Sequence, residues 1–223
     1  MRTRVKICGI TRPEDVIFSV KAGADALGFV FYKASPRYVT PGIARKLVKL
    51  VPAWVSTVGL FVNSGLEEIT EVADYVGVSH VQLHGDESEK LCEGIQRPVI
   101  KAIRLPTNGI IGKESLKKLV RISHSYLSCC TAILLDSDTR NYGGSGETFE
   151  WEILNELTPQ LNGKWVLSGG LNKNNIKLAM TRFNPPFVDV SSGVELSTGE
   201  KRRPGIKEHA KIERFLSLVA SLN

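Results

Sequence analysis

Features that define several protein classes are scarce in this sequence of 223 residues. Aromatic residues make up only 7% of the chain, and methionine occurs twice. Because proteins that bind single-stranded RNA stack its bases on aromatic side chains, this scarcity disfavours a nucleic-acid partner. No apolar run approaches the roughly 20 residues of a membrane-spanning helix, so we expect no membrane insertion.

Cysteine is also infrequent, with Cys8, Cys92, Cys129 and Cys130 as its four occurrences. No C-x-x-C pair is present, and two adjacent cysteines do not have the usual spacing of zinc ligands. The sequence therefore predicts no metal site. The chain opens directly on a strand-like segment without an apolar signal core, so we expect a reducing, cytoplasmic environment.

Charge and hydrophobicity are those of a folded globular chain. Hydrophobic residues make up 42% and charged residues 23%, and 29 basic minus 23 acidic residues gives a net charge of +6. The basic residues are dispersed except for the short cluster Lys201–Arg203. This pattern disfavours nucleic acid and is compatible with a small anionic substrate.

Short apolar, β-branched runs alternate with amphipathic segments along the whole chain. Such strands, separated by helices, indicate a parallel sheet covered by helices. Eight units in this length predict an α/β fold, a single (β/α)8 TIM barrel domain over residues 1–223, with an open doubly wound sheet as the alternative. The predicted strands are Val5–Cys8, Ala26–Phe31, Val55–Val62, His80–His84, Val99–Ile103, Thr131–Asp136, Trp165–Ser168 and Phe187–Val190. The predicted helices begin at Pro13, Pro41, Leu66, Glu87, Glu114, Trp151, Asn174 and Lys207.

Small residues follow the seventh and eighth predicted strands. Ser168 precedes Gly169 and Gly170, and the last strand leads into Ser191, Ser192 and Gly193. Small side chains let backbone N–H groups approach a phosphate, and the loops after strands 7 and 8 bind phosphate in many barrels. We therefore predict that these two glycine-containing loops bind phosphate. The alternative is that both are tight turns that require glycine.

Two groups suited to proton transfer end predicted strands. A thiol at Cys8 could serve as a nucleophile or a general base, although an isolated cysteine is more often buried and inert. Asp136 follows an apolar strand, and apolar surroundings favour a protonated carboxyl that can act as a general acid. Arg37, in a loop, offers a planar fork for a carboxylate. Gln82 and His84 end the fourth strand, where packing or hydrogen bonding is the more ordinary role.

Seven motifs in order along nearly the whole chain resemble the phosphoribosylanthranilate isomerase family of tryptophan biosynthesis. They are Lys6–Thr11, Gly28–Phe31 with Ser35–Tyr38, Val81–Gly85, Leu134–Asp136, Gly143–Gly146 with Phe149 and Trp151, Leu167–Leu171, and Val188–Glu195. Glu150 departs from the family pattern, where an aspartate is expected. The segment Leu196–Pro204 is richer in lysine and arginine than the pattern, and its conformation is left open.

The resemblance implies an Amadori rearrangement of an anionic sugar phosphate by general acid–base catalysis, without a cofactor. It assigns Cys8 as the base and Asp136 as the acid, and Arg37 as the site of the anthranilate carboxylate. Substrate binding would also involve Gln82, His84 and Asp189. The phosphate would lie against Gly169, Gly170, Ser191, Ser192 and Gly193. The resemblance is compatible with either a monomer or a homodimer.

Two other functions are compatible with parts of the sequence. A related aminoaldose isomerase on the same fold would be expected to use two aspartates, whereas a cysteine occupies the first position here. A non-catalytic anion or nucleic-acid binder would rely on the net charge of +6. Bringing Cys8 and Asp136 into one pocket would count against the second.

Overall fold

The computed structural model describes residues 2–107, 112–138, 146, 148–198 and 201–223. Eight parallel strands form a closed barrel in chain order, which confirms the predicted (β/α)8 fold and rules out the open sheet. The strands are β1 (Arg4–Cys8), β2 (Ala26–Val30), β3 (Ser56–Phe61), β4 (His80–Leu83), β5 (Val99–Leu105), β6 (Ala132–Ser137), β7 (Trp165–Leu167) and β8 (Phe187–Val190).

Closure depends on the pairing of β1 with β8. Their register places Lys6 opposite Asp189, and the register of β1 with β2 places Cys8 opposite Gly28. Since side chains alternate across a strand, Lys6 and Cys8 share one face. Closure thus places the first and last strands of the barrel, β1 and β8, side by side.

Helices cover the outside of the barrel, and each begins within three residues of its predicted start. Pro13 and Pro41 occupy first turns, where a missing N–H costs nothing, and Gly77 ends α3 in a left-handed conformation. The described part of the sixth connection contains a 3₁₀ turn at Trp151–Ile153, one short α-helix and a second 3₁₀ turn at Thr158–Leu161. The helices are α1 (Pro13–Lys21), α2 (Pro41–Val48), α3 (Leu66–Val76), α4 (Glu89–Gly94), α5 (Lys113–Leu127), α6 (Leu154–Leu157), α7 (Ile176–Phe183) and α8 (His209–Ala220). Among the described helices, none combines the length and the apolar composition needed to cross a bilayer.

The apolar core is divided by the strand alternation. The largest cluster lies between strands and helices and includes Leu27, Ile133 and Phe215. Smaller clusters consist of Ala102, Leu134 and Val166, and of Cys8, Val30, Leu60 and Val62. The cluster around Cys8 also lines the cavity at the barrel mouth, so the candidate base lies against apolar walls.

A hairpin between β8 and α8 was not predicted. Strands β9 (Glu195–Thr198) and β10 (Lys201–Lys207) pair antiparallel, with Lys207 opposite Glu195. The prediction that the last helix begins at Lys207 is therefore wrong. Lys207 ends β10 because its ammonium group binds the buried Glu195 carboxylate, and the helix begins at His209. The predicted motif Gly143–Gly146 lies outside the described residues except for Gly146.

Candidate active site

The cavity at the carboxyl ends of the strands brings together most of the predicted site residues. Seven of them line it: Cys8, Arg37, Gln82, His84, Asp136, Asp189 and Ser191. Its other lining residues are Val30, Tyr32, Ser35, Leu60, Val62 and Ser168. A thiol from β1 and a carboxyl group from β6 therefore share one pocket, as expected for an acid–base site.

A continuous network of hydrogen bonds and ion pairs crosses the barrel interior at this cavity, and four of its five side chains also line the cavity. Lys6 Nζ lies 3.0 Å from Asp189 Oδ1 and donates to Gln82 Oε1 at 2.8 Å. Gln82 Nε2 lies 2.9 Å from His84 Nδ1, and His84 Nε2 lies 2.9 Å from Asp136 Oδ2. All five side chains are buried, so the orientation of each one constrains the next.

This network of hydrogen bonds determines which ring nitrogen of His84 carries the proton. An ammonium group only donates, so the Gln82 atom that faces Lys6 is the carbonyl oxygen and the amide nitrogen faces His84. His84 Nδ1 then accepts, which leaves the ring proton on Nε2, where it points to Asp136. Asp136 also accepts from the backbone N–H of Ser137 at 2.9 Å. Both oxygens of the candidate acid therefore accept a hydrogen bond.

Cys8 is buried between apolar side chains and a charged pair. Burial raises the pKa of the Cys8 thiol, since the thiolate is poorly solvated there, and the Lys6 ammonium counteracts this by stabilising the thiolate. A side chain at Gly28 would place its Cβ 2.7 Å from the Cys8 sulfur. Glycine at that position therefore leaves the room that the thiol occupies.

Arg37 is held at the cavity by an acidic residue that the sequence analysis missed. Its Nε and Nη2 donate to the two Glu195 oxygens at 2.7 and 2.8 Å, a bidentate pair that is almost fully buried. Glu195 also accepts from the Gly205 N–H at 2.9 Å and pairs with Lys207 at 3.3 Å. Burial alone would raise the pKa of Glu195, but Arg37 and Lys207 together hold it below its ordinary value.

Four of the five predicted phosphate residues, all except Gly169, divide between the mouth and an adjoining pocket. Ser191 lines the mouth, and its Oγ is buried without a hydrogen-bond partner among the described residues. Gly170, Ser192 and Gly193 line a neighbouring pocket of about 220 Å³ together with Arg202 and other polar residues. Ser191 in the mouth and Ser192 in the neighbouring pocket are adjacent in sequence, so one extended ligand could reach both.

Two of these glycines are required because neighbouring atoms lie too close to leave room for a Cβ atom. Gly169 has a φ of +79°, and a Cβ there would lie 3.2 Å from Asp136 Oδ1 and 2.9 Å from the Ser137 nitrogen. A Cβ at Gly193 would collide with the carbonyl oxygen of Leu171. Glycine is therefore required by the local structure at Gly169 and Gly193. This requirement does not conflict with phosphate binding, because both depend on a backbone without side-chain obstruction.

Three charged residues of this region were not identified as site residues from the sequence. Lys6, Glu195 and Lys207 are all buried, and each is paired with an oppositely charged side chain. The only sequence signal for Lys6 is a lysine inside an otherwise apolar strand. Glu195 and Lys207 carry no such signal, since both lie outside the predicted strands.

Comparison with known proteins gives one consistent family. Residues 5–217 match the family model described as N-(5'phosphoribosyl)anthranilate (PRA) isomerase. A protein of that name from Dechloromonas aromatica is 42% identical, with 98% of this chain and 97% of the relative covered. One from Thermotoga neapolitana is also 42% identical, with 98% and 99% covered.

Solved structures show the same family. The phosphoribosyl anthranilate isomerase of Thermotoga maritima superposes with a TM-score of 0.83 at 41% identity, covering 98% of this chain and 99% of the other. A second structure of this type, solved in complex with reduced 1-(o-carboxyphenylamino)-1-deoxyribulose 5-phosphate, has a TM-score of 0.80 at 38% identity and the same coverage.

Proposed function

This chain belongs to the N-(5'-phosphoribosyl)anthranilate isomerase family of tryptophan biosynthesis, and on that premise we propose that Cys8 and Asp136 are the acid–base pair of the isomerisation. The observation that carries the assignment is that both side chains line one buried cavity and lie at opposite parts of one charged network. An acid and a base held around a single sugar are what the reaction needs.

The substrate would span the mouth and the adjoining pocket. A solved relative holds a ligand with a carboxyphenyl group at one end and a phosphate at the other. We propose that the phosphate of N-(5-phosphoribosyl)anthranilate binds the two loops at Gly169–Gly170 and Ser191–Gly193, and that its carboxylate binds Arg37. The Ser191 hydroxyl has no hydrogen-bond partner within the described part of the chain, which supports this placement, because a buried donor without a partner is costly unless a ligand engages it.

Asp136 acts first in this mechanism. It donates a proton to the furanose ring oxygen, the bond between that oxygen and C1 breaks, and the nitrogen lone pair forms the C1=N bond of a Schiff base. Asp136 is left as a carboxylate that accepts from His84 and from the Ser137 N–H. These donors are in place before the reaction, so they stabilise the negative charge without reorganisation.

Cys8 acts second, as the thiolate. It removes the proton from C2, the electron pair forms the C1=C2 bond, and the nitrogen becomes neutral in an enolamine. Protonation at C1 and loss of the proton from the C2 hydroxyl give the aminoketose. The adjacent Lys6 ammonium supports the thiolate, and Asp189 holds that ammonium in place. General acids and bases of this kind contribute about 10²–10⁴-fold each.

Single substitutions test the assignment. We expect Cys8→Ala and Asp136→Asn to lose more than about 100-fold in kcat, measured by the loss of anthranilate fluorescence from phosphoribosylanthranilate. Cys129→Ala and Asp138→Asn are the matched controls, because Cys129 and Asp138 do not line the mouth. Near-normal turnover by either mouth variant, or turnover of a histidine-pathway aminoaldose at a higher kcat/KM, would overturn this assignment.

Partners and assembly follow from the same premise. We propose a small anionic sugar phosphate as the substrate, and neither nucleic acid nor membrane as a partner. One solved form of the Thermotoga maritima relative is described as a monomer generated from a dimeric protein. For this chain a monomer and a homodimer are both compatible with the fold, and sedimentation equilibrium of the purified protein distinguishes them.

A further inference from the structure

Three cysteine side chains that the mechanism does not use meet in the helical layer of the barrel. Cys92 lies in α4, and Cys129 and Cys130 lie between α5 and β6. All pairs of their sulfur atoms are within 4.8 Å, and the Cys129 and Cys130 sulfurs are 3.9 Å apart. All three are free thiols, and none lines the barrel mouth.

The backbone around these thiols is fixed by hydrogen bonds. The N–H groups of Cys129 and Cys130 both donate to the carbonyl of Tyr126, at 3.1 and 2.7 Å, and Thr131 N donates to Val99 O at 2.8 Å. Cys92 N donates to the carbonyl of Ser88 at 3.2 Å. Both segments are therefore anchored independently of the thiols.

The sulfur spacing suits a metal ion that binds three thiolates. With metal–sulfur bonds of about 2.3 Å, a trigonal set places its sulfurs about 4.0 Å apart. One pair already has this separation, and the other pairs need to shorten by at most about 0.8 Å. Among the described residues, no carboxylate or imidazole belongs to the group, so its donors are sulfur alone. Such a set selects soft cations over Mg²⁺ or Ca²⁺.

Burial and charge are compatible with an ion at this position. Cys92 and Cys130 are buried, whereas Cys129 is partly exposed and leaves a route from solvent. A hydrogen bond with Cys130 lowers the pKa of Cys92, with the nearby Lys101 ammonium acting in the same direction. The pKa of Cys129 is raised by burial. Loss of the Cys92 proton is therefore favoured relative to an isolated thiol, whereas a cation would compete with a more firmly held proton at Cys129.

We propose that Cys92, Cys129 and Cys130 form a binding site for one thiophilic d¹⁰ cation of the Zn²⁺, Cd²⁺ and Cu⁺ class. Binding forms three metal–sulfur bonds and releases three protons, so a divalent ion leaves a complex with a charge of −1. The bound ion would tie α4 to the connection between α5 and β6. The absence of zinc-ligand spacing in the sequence concerns only cysteines close together in the chain. Cys92 lies in α4, far in sequence from Cys129 and Cys130.

Cadmium titration of the reduced full-length chain tests the site, with a phosphine as the reductant because it does not compete as a thiol. We expect one equivalent of Cd²⁺ to bind, with a thiolate-to-metal charge-transfer band in the ultraviolet, competition by a large excess of Zn²⁺ and none by Mg²⁺. Binding to the folded state should also raise Tm.

Variants locate the bound ion. Cys92→Ala and Cys129→Ala should each weaken Cd²⁺ binding by more than about 100-fold, since loss of outer-shell partners alone costs about 10–100-fold. Cys8→Ala should retain it. Circular dichroism confirms that each variant is folded, and the partly exposed Cys129 makes its variant the safer of the two. Any of three results overturns the proposal: a folded, reduced wild type without the band, wild-type Cd²⁺ affinity in both cluster variants, or loss of binding in Cys8→Ala.

Discussion

The side-chain amide nitrogen of Gln82 lies 2.9 Å from His84 Nδ1, and this contact determines the tautomer of the histidine. Because Lys6 occupies the carbonyl oxygen of the same amide, the amide cannot flip without placing an N–H group against an ammonium. The Nε2–H of His84 is thereby directed at the proposed acid. Gln82 and Lys6 thus act on Asp136 through His84, as positioning residues.

Replacing Gln82 tests this relay. In Gln82→Glu the carboxylate still accepts from Lys6 but can only accept from the histidine, so the ring proton moves to Nδ1 or the ring becomes charged. We expect kcat to fall about 10–100-fold with KM nearly unchanged, the range for partners that orient a catalytic group. Nitrogen NMR of His84 should report the altered protonation. An unchanged imidazole signal with reduced kcat would contradict the relay.

Replacing Lys6 tests the electrostatic support of the thiolate. Burial raises the pKa of Cys8 and Lys6 lowers it, so Lys6→Met should raise that pKa further. The thiolate fraction at a pH below the pKa falls about tenfold for each unit of increase. The pH dependence of Cys8 alkylation by iodoacetamide, and the limb of the kcat/KM profile that reports Cys8 ionisation, should both move to higher pH.

Lys101→Met is the matched control for Lys6→Met. Lys101 is an equally buried strand lysine paired with Glu87 at 3.1 Å, much as Lys6 is paired with Asp189 at 3.0 Å. Each variant should cost about 3–5 kcal/mol of stability, because a buried carboxylate loses its partner. Only Lys6→Met should shift the alkylation profile. A shift of the same size in Lys101→Met would show that destabilisation, and not local charge, controls the thiol.

Variants of the Arg37–Glu195 ion pair distinguish a role in substrate binding from a role in stability. Arg37→Met should raise KM for phosphoribosylanthranilate and lower stability, since Glu195 loses its bidentate partner. Glu195→Gln also breaks the ion pair but keeps the guanidinium. We expect both variants to lose about 3–5 kcal/mol in denaturant unfolding. A KM increase as large in Glu195→Gln as in Arg37→Met would remove Arg37 from the carboxylate site.

Ser191→Ala tests the phosphate placement with little structural cost. The Ser191 hydroxyl has no partner among the described residues, so its removal should change stability by less than about 0.5 kcal/mol. A hydrogen bond to a charged group contributes about 1.5–3 kcal/mol, which corresponds to a KM increase of about 10- to 150-fold. Ser168→Ala is a control in the same cavity. The Ser168 hydroxyl makes a long hydrogen bond of 3.5 Å to Asp189 and is not one of the proposed phosphate ligands. An unchanged KM in Ser191→Ala would exclude this hydroxyl from substrate binding.

The strands and the mouth were predictable because their signals are local. The predicted strand Phe187–Val190 has the observed bounds, and Val5–Cys8 differs from β1 by one residue. Cys8, Asp136 and Arg37 were identified because they end strands or occupy the loops that follow them. The hairpin of β9 and β10 was missed because its strands carry no alternating apolar pattern and are held by the single buried carboxylate of Glu195.

The order of strand and helix units, and the loops in which chemistry would lie, were determined by the sequence itself, since apolar periodicity and turn residues act over a few positions. Only the tertiary structure decided the pairing of Lys6 with Asp189, the tautomer of His84, the partner of Arg37 and the meeting of Cys92 with Cys129 and Cys130. These contacts join residues far apart in the chain. Barrel closure and helix packing determine their distances, and no local propensity encodes them.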